Sequence, residues 1–287
     1  MIPIISQDLR ISRLEQLLNF NKKDFPMILK KKFILLFLLY ALCLVSSFSQ
    51  GQEITRPKLM EEDGHLFDKM VDAYNQKDFD KSLGFASQLI SKYPVSEKPD
   101  YYYLYVARGG IYIKLGRYNE ALKDIETALG VNPNDLTGIE LRGSVYFRTG
   151  RYSDSIVEDT RVLSLAPQKI ECYNSRGEAY CKLGKYEEAL ADFTEFIKRN
   201  DTYALVYSNR GWVYIQLGEY EKALKDISKA IQLDNNCSEY LKNRGVVHLY
   251  LKQQKEALAD FEKALELADT DSEKQEIFNY IQICTKK

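Results

Sequence analysis

The sequence is poor in the residues from which most catalytic and metal sites are built. Its 287 residues include two histidines, five cysteines and one tryptophan, and its formal net charge is −1. Two histidines and five cysteines argue against a zinc-ribbon framework or a dense disulfide scaffold. A near-neutral chain also lacks the basic surface that binds a nucleic-acid backbone. We therefore expect no metal, no cofactor and no nucleic-acid partner.

The few reactive side chains are also badly placed for catalysis. His65 and His248 lie near opposite ends of the chain, so they cannot share a triad or a metal. Cys172 and Cys181 are nine residues apart on one predicted helix. A rise of about 1.5 Å per residue separates them by roughly 13 Å, beyond the reach of a disulfide. No phosphate-binding loop is present. We expect no catalytic residue and no enzyme activity.

The longest apolar run, residues 33–45, is too short to span a membrane, because a spanning helix needs about 20 residues. Three lysines at 30–32 precede it, and Ser47 and Ser49 stand at −3 and −1 from Gln50. This order is typical of a secretory signal. We predict a signal within 1–49, with translation starting at Met27 or alternatively at Met1, then a linker over 50–62, and export to the periplasm or cell envelope, with secretion as a further alternative. The alternative is an uncleaved membrane anchor.

A period of 34 residues runs through the remainder of the chain. The dipeptide Arg-Gly recurs at each step, followed after three residues by an aromatic or histidine ring and after twelve by a small residue. In four of the five units, glycine and tyrosine also stand seven and nine residues after the first glycine. The dipeptides are Arg108-Gly109, Arg142-Gly143, Arg176-Gly177, Arg210-Gly211 and Arg244-Gly245.

These residues resemble the tetratricopeptide repeat, a pair of antiparallel helices. The resemblance implies an all-α solenoid of about six helix-turn-helix units in a right-handed superhelix. The units are 102–135, 136–169, 170–203, 204–237 and 238–271, with a degenerate unit at 63–96. Residues 272–287 are predicted to form a capping helix that begins with a capping box at Ser272. Lys252 and Gln254 replace the turn glycine and tyrosine, which predicts a different or frayed turn in the last unit.

Two further patterns predict how each unit holds together. A glycine in mid-helix costs about 1 kcal/mol, so its repetition indicates that another helix presses against that spot. The arginine before each such glycine is followed sixteen residues later by an acid, which predicts an ion pair between the two helices of a unit. Asp159 departs from the pattern, because it occupies a position filled elsewhere by isoleucine or phenylalanine.

The resemblance also implies where a partner binds. In this family the first helix of each unit lines the concave face, and partners lie along that face. Matching the family's groove positions onto this chain gives the candidates Tyr103, Val106, Lys114, Glu140, Ser144, Phe147, Arg148, Glu171, Asn174, Glu178, Lys182, Ser208, Trp212, Gln216, Lys242 and Tyr250.

The residues at the candidate positions exclude one kind of partner recognition known in this family. The family's clamp for a C-terminal carboxylate needs asparagine at the ninth position of a unit, and none of the five complete units has it. Trp212 is either an anchor for a partner, since tryptophan is enriched in binding hot spots, or a packing residue between units. We expect a non-catalytic scaffold that binds a protein or peptide, or alternatively a membrane-anchored structural or assembly component of the cell envelope. Partner identity and oligomeric state stay open.

Overall fold

The computed structural model describes residues 63–286, so the predicted signal, the linker and Met27 lie outside the described residues. This range contains thirteen α-helices, one short 3-10 helix and no strand. The helices are α1 (Gly64–Asn75), α2 (Phe79–Lys92), α3 (Tyr103–Lys114), α4 (Tyr118–Val131), α5 (Leu136–Arg148), α6 (Tyr152–Leu165), α7 (Glu171–Lys182), α8 (Tyr186–Arg199), α9 (Ala204–Gln216), α10 (Tyr220–Leu233), α11 (Ser238–Tyr250), α12 (Gln254–Leu267) and α13 (Asp271–Thr285), with the 3-10 turn Pro99–Tyr101 before α3.

The helices pack in consecutive pairs, each pair against the next, and this confirms the predicted all-α solenoid of about six units. Within a pair the second helix is amphipathic and buries small and aliphatic residues against the first, as Ala121, Ile125 and Ala128 do in α4. The apolar core continues from unit to unit because each second helix also packs on the following first helix. The last second helix, α12, is covered by α13.

The turns inside the units require a left-handed backbone conformation, which glycine adopts most readily. Gly116, Gly150, Gly184 and Gly218 have φ between 69 and 78° and end the first helices of their units. Lys77 and Lys252 take the same left-handed conformation, each with φ of 61°. The prediction of a different turn in the last unit was therefore wrong. The surrounding helix pair holds Lys252 in the glycine conformation despite its side chain.

The C-terminal helix begins slightly earlier than predicted. Its cap is Thr270, whose Oγ1 accepts a hydrogen bond from the backbone N–H of Glu273 at 3.2 Å. Helix α13 therefore starts at Asp271, ahead of the capping box expected at Ser272. Both hydroxyl residues can cap a helix, and in the structure Thr270 does so, while Ile277 and Cys284 are buried in the core of the last unit.

The mid-helix glycines mark the closest approach of the two helices in a unit. A Cβ at Gly177 would lie 2.6 Å from the ring of Phe193, and one at Gly211 would lie 2.6 Å from Cγ1 of Ile227. Both neighbours are fully buried and cannot move aside. Gly143 differs in degree, because its Cβ would lie 3.2 Å from Cβ of Glu158 and 3.9 Å from Cγ of Glu158 and the carbonyl oxygen of Ser155. The expectation that a neighbouring helix presses on these glycines is confirmed.

Gly177→Ala should destabilise the protein more than Gly143→Ala. At Gly177 the added methyl collides with a buried ring, and overpacking of this kind costs about 1–3 kcal/mol. At Gly143 the same change requires Glu158 to shift by only a few tenths of an ångström, and alanine is the better helix former by about 1 kcal/mol. The measurement is the urea midpoint of each variant beside the unchanged protein. Equal losses at both sites would contradict the close-approach explanation.

The five predicted ion pairs between first and second helices are all present. Four are bidentate, with arginine Nε and Nη2 each donating to one carboxylate oxygen at 2.6–2.9 Å. Three of these arginines also donate through Nη1 to a hydroxyl in the preceding unit: Ser87, Thr160 or Thr194. The arginines therefore join both helices of one unit to its neighbour. The pairs are Arg108–Asp124, Arg142–Glu158, Arg176–Asp192, Arg210–Asp226 and Arg244–Asp260.

The fifth pair, Arg142–Glu158, has a different geometry. Glutamate is one methylene longer than aspartate, and both of its oxygens face Nη2 of Arg142, at 2.9 and 3.0 Å. The Nε atom of Arg142 is buried and has no hydrogen-bond partner among the described residues. This unit also contains Asp159, which is buried in the isoleucine or phenylalanine position of the other units. Residues 136–169 are therefore held together by poorer contacts than their neighbours.

Candidate protein-binding face

At three of the five junctions between units, the first helices lie closer to one another than the second helices do. Contacts join α3 to α5, α7 to α9 and α9 to α11, whereas among the described residues no two second helices of neighbouring units meet as closely. An array of rods that are closer along one side curves toward that side. This spacing is what a concave first-helix face requires. The exposed parts of α3, α5, α7, α9 and α11 are called the first-helix face below.

The candidate residues differ in how far their side chains are exposed to solvent on this face. Seven are exposed: Lys114, Arg148, Glu171, Lys182, Trp212, Gln216 and Tyr250. Seven are partly buried: Tyr103, Glu140, Ser144, Phe147, Asn174, Glu178 and Lys242. All fourteen lie on first helices.

Two candidates have almost no solvent-exposed surface, so the prediction that they contact a partner was wrong. Val106 is 6% exposed and Ser208 is 4% exposed. Both occupy the fifth position of their units, where Glu140, Asn174 and Lys242 have longer side chains that reach solvent. The fifth position lies near the neighbouring first helix, so a short side chain there remains beneath the surface.

The exposed aromatic residues rest on tyrosines of the preceding unit. Trp212 is 37% exposed and lies edge-on to Tyr186, with ring centroids 6.0 Å apart and an interplanar angle of 70°. Tyr250 is 55% exposed and stacks on Tyr220 at 4.6 Å with an angle of 7°. Trp212 thus packs between units, as one of its two predicted roles required, and still presents surface. Each ring is fixed on one side and open on the other.

A polar cluster joins two first helices at the middle of the face. Asn209 Nδ2 donates to Asn174 Oδ1 and to Glu178 Oε1, both at 3.1 Å, and Asn174 Nδ2 donates to the same glutamate oxygen at 2.8 Å. The sequence analysis identified Asn174 and Glu178 but missed Asn209. The signal was available, since Asn209 lies one repeat plus one residue after Asn174, which places it across the junction between α7 and α9.

Two charged candidates are held by ion pairs within the chain. Glu140 on α5 pairs with Lys169 at 2.9 Å, just before α7 begins. Lys242 on α11 pairs with Glu276 of α13 at 3.1 Å, and Ser238 donates to Glu273 of the same helix at 2.6 Å. Helix α13 therefore takes the place of a further first helix beside α11. Because Glu276 of this helix pairs with Lys242, that lysine is not free to contact a partner.

Reactive groups in the described part of the chain are dispersed or buried. No cluster of three His, Cys, Asp or Glu side chains there is arranged to hold a metal. The four cysteines in this range are free, and burial raises the pKa of the Cys172 and Cys181 thiols to about 12, which keeps them protonated and poorly nucleophilic at neutral pH. His248 faces Gln253 and Asp260 of its own unit. None of the helices between residues 63 and 286 has the length and apolarity to cross a membrane.

Comparisons with known proteins agree with this geometry. Family models of the tetratricopeptide repeat match residues 102–135, 170–203, 204–237 and 238–271. The chain is similar to a thermophilic TPR protein of Thermus thermophilus, with 26% identity, a TM-score of 0.52, and coverage of 63% of this chain and 99% of that one. No curated protein matches the sequence significantly.

Two other solved structures share the fold. MamA from Desulfovibrio magneticus RS-1, residues 41 to the end, has 23% identity and a TM-score of 0.55, with coverage of 58% of this chain and 94% of that one. YrrB, a TPR protein with an unusual peptide-binding site, has 17% identity and a TM-score of 0.53, with coverage of 64% and 95%. The described residues therefore form an α-solenoid of helix pairs, in which residues 102–135 and 170–271 match the tetratricopeptide repeat.

Proposed function

We propose that this protein is a non-catalytic scaffold that binds an extended segment of another protein on its first-helix face. The observation that carries the proposal is the pair of exposed rings, Trp212 and Tyr250, each fixed against a tyrosine of the preceding unit. YrrB, which has the same fold, contains a peptide-binding site. The general use of tetratricopeptide repeats in protein–protein contacts supports the same conclusion.

Rings held in this way suit recognition because little conformational freedom is lost when a partner binds. An exposed tryptophan that rotates freely would have to be immobilised on binding, whereas Trp212 is already positioned by Tyr186. Aromatic rings also supply large apolar contact area at the centre of an interface. The neighbouring polar cluster of Asn174, Glu178 and Asn209 is rigid for the same reason, because its members hydrogen-bond to one another.

Trp212→Ala should weaken partner binding at least tenfold without unfolding the protein. Loss of a tryptophan hot spot costs about 2 kcal/mol or more of binding free energy, whereas its loss from a partly exposed site costs little stability. The measurement is quantitative affinity capture from cell-envelope extracts with the unchanged protein, Trp212→Ala and the second-helix control Lys225→Ala. Capture that is equal for all three proteins would remove Trp212 as an anchor. Capture of nothing above a bead control would contradict the proposed function.

We also propose that the protein acts outside the cytoplasm, in the periplasm or cell envelope. The support is the basic patch at 30–32, the apolar run at 33–45 and the small residues before Gln50. The second candidate is a membrane-anchored structural or assembly component that keeps this segment. Cell fractionation with N-terminal sequencing separates the two. A soluble protein beginning at Gln50 supports export, a membrane-bound protein retaining Lys30 supports the anchor, and a cytoplasmic protein contradicts both.

A further inference from the structure

Three consecutive first helices end in a cation that has no partner. Lys114, Arg148 and Lys182 occupy the same position in the last turns of α3, α5 and α7, one repeat apart, and all three are exposed. Within residues 63–286 none of them forms an ion pair or a side-chain hydrogen bond. Two cations at the following turns are paired, since Arg117 contacts Glu120 at 2.8 Å and Arg151 contacts Asp154 at 2.7 Å, whereas exposed Lys185 at the third of these turns forms no ion pair among the described residues. These three residues are called the cation row below.

Helix stability does not explain the cation row. A cation near a helix C-terminus gains from the helix dipole, and this gain applies equally to first and second helices. The second helices α4 and α6 have no basic residue in their last turns, and neither have α10 and α12. Helix α8 has Lys198 and Arg199 there, but both are near Glu195, and Arg199 pairs with it at 2.8 Å. Unpaired terminal cations are thus confined to one side of the array.

The row ends where the exposed aromatic residues begin. At the same position of the next two units the chain has Gln216 and Tyr250, and Trp212 lies one turn earlier on α9. The first-helix face therefore changes character along the array. Helices α3, α5 and α7 end in unpaired cations, although α7 also begins with the exposed acid Glu171, whereas α9 and α11 present two fixed rings.

We infer that the first-helix face binds a protein segment that carries carboxylates toward one end and aromatic or aliphatic side chains toward the other. This inference rests on the proposed function and specifies the partner. Each cation of the row offers one charged contact, and the three together set both the charge and the direction of the bound segment. Rings that are open on one side favour apolar side chains over charged ones. A basic segment fits neither half of the face, and a uniformly acidic one fits only the cation row.

Selection from a random library of 16-residue peptides displayed on phage tests the inference on the full-length protein. A peptide of this length spans roughly 50 Å when extended, enough to cross several units. The test variant is Lys114→Gln/Arg148→Gln/Lys182→Gln. The matched control, Lys123→Gln/Lys225→Gln/Lys255→Gln, removes the same charge from exposed positions on second helices. Circular dichroism and the urea midpoint confirm that both variants fold.

We expect the selected peptides to have Asp or Glu in one half and aromatic or aliphatic residues in the other. A selected peptide should bind the test variant about tenfold more weakly than the unchanged protein, since three exposed charge contacts are lost. It should bind the control within twofold of the unchanged protein, and replacing its acids by glutamine should remove the difference between the proteins.

Three results would overturn the inference. Selected peptides without acidic residues that still lose affinity with Trp212→Ala would refute the charged half while leaving the proposed function intact. Equal loss of affinity in the test and control variants would mean that charge acts non-specifically. Failure of the library to yield any peptide that depends on first-helix residues would contradict both the inference and the proposed function.

Discussion

Replacing Arg176 by alanine is expected to lower the free energy of unfolding by about 3–5 kcal/mol. The Arg176 side chain is 17% exposed, and its guanidinium donates to both oxygens of Asp192, at 2.7 and 2.8 Å, and to Thr160 of the preceding unit at 2.9 Å. The substitution leaves the Asp192 carboxylate, which is 6% exposed, without its counter-ion. Removing one partner of a buried pair is costly because the remaining charge stays desolvated. Chemical denaturation at pH 7 measures the loss.

Arg142→Ala is the matched control, because the contact that it removes is weaker. Only Nη2 of Arg142 reaches Glu158, and Nε already has no partner among the described residues. We expect a smaller loss than for Arg176→Ala: Glu158 is also left without its counter-ion, but the substitution removes fewer hydrogen bonds and also removes the buried Nε that has no partner among the described residues. Two results would contradict a stabilising role of the ion pairs between helices and units. One is an unchanged denaturation midpoint for Arg176→Ala, and the other is a larger loss of unfolding free energy for Arg142→Ala than for Arg176→Ala.

Asp159→Asn is expected to stabilise the protein at alkaline pH, by up to about 4 kcal/mol. Burial raises the pKa of the Asp159 carboxyl from its ordinary 3.8 to about 7, with the acidic side chains of Asp192 and Glu140 acting in the same direction. Arg176 and the Cys172 thiol offset only part of this rise. Since the folded state holds the proton more tightly than the unfolded chain, Asp159 favours folding most below pH 3.8. This contribution is lost as the pH rises through 7.

The measurement is the urea midpoint of the unchanged protein and of Asp159→Asn between pH 4 and pH 9. The two should differ least near pH 4, where the carboxyl is neutral in the folded state and only partly ionised in the unfolded chain, and should diverge progressively up to about pH 7, with the variant more stable. Asp201→Asn, at an exposed loop residue, is the control and should follow the unchanged protein throughout. Parallel curves for all three would show that Asp159 is not the buried, protonated group described.

The repeat made much of this fold predictable from sequence. A glycine or an arginine that recurs every 34 residues indicates a contact with a second helix. Gly177 therefore predicted the close approach of the two helices in its unit, and Arg176 predicted the ion pair between them. The turn at Lys252 was not predictable in the same way, because the constraint there comes from the packed helix pair and overrides the residue's own preference. Asp159 was recognised as a departure, but its burial had to be seen in the structure.

The binding face was less predictable because exposure depends on side-chain length and on what the next unit places nearby. Val106 and Ser208 share a position with Glu140, yet only the longer side chain reaches solvent. Asn209 belongs to the polar cluster through a contact between units, which a search within one unit does not detect. The pairing of Lys242 with Glu276 likewise depends on α13, which lies outside the repeat pattern.

Site-specific photocrosslinking tests most directly whether the first-helix face recognises a partner. A benzoylphenylalanine at exposed Gln216 on α9 is compared with one at exposed Lys225 on the adjacent second helix α10, in the cells that produce the protein. We expect the Gln216 probe to form an adduct with another protein and the Lys225 probe to form none with that protein. An adduct formed equally from both positions, or from Lys225 alone, would contradict recognition by the first helices.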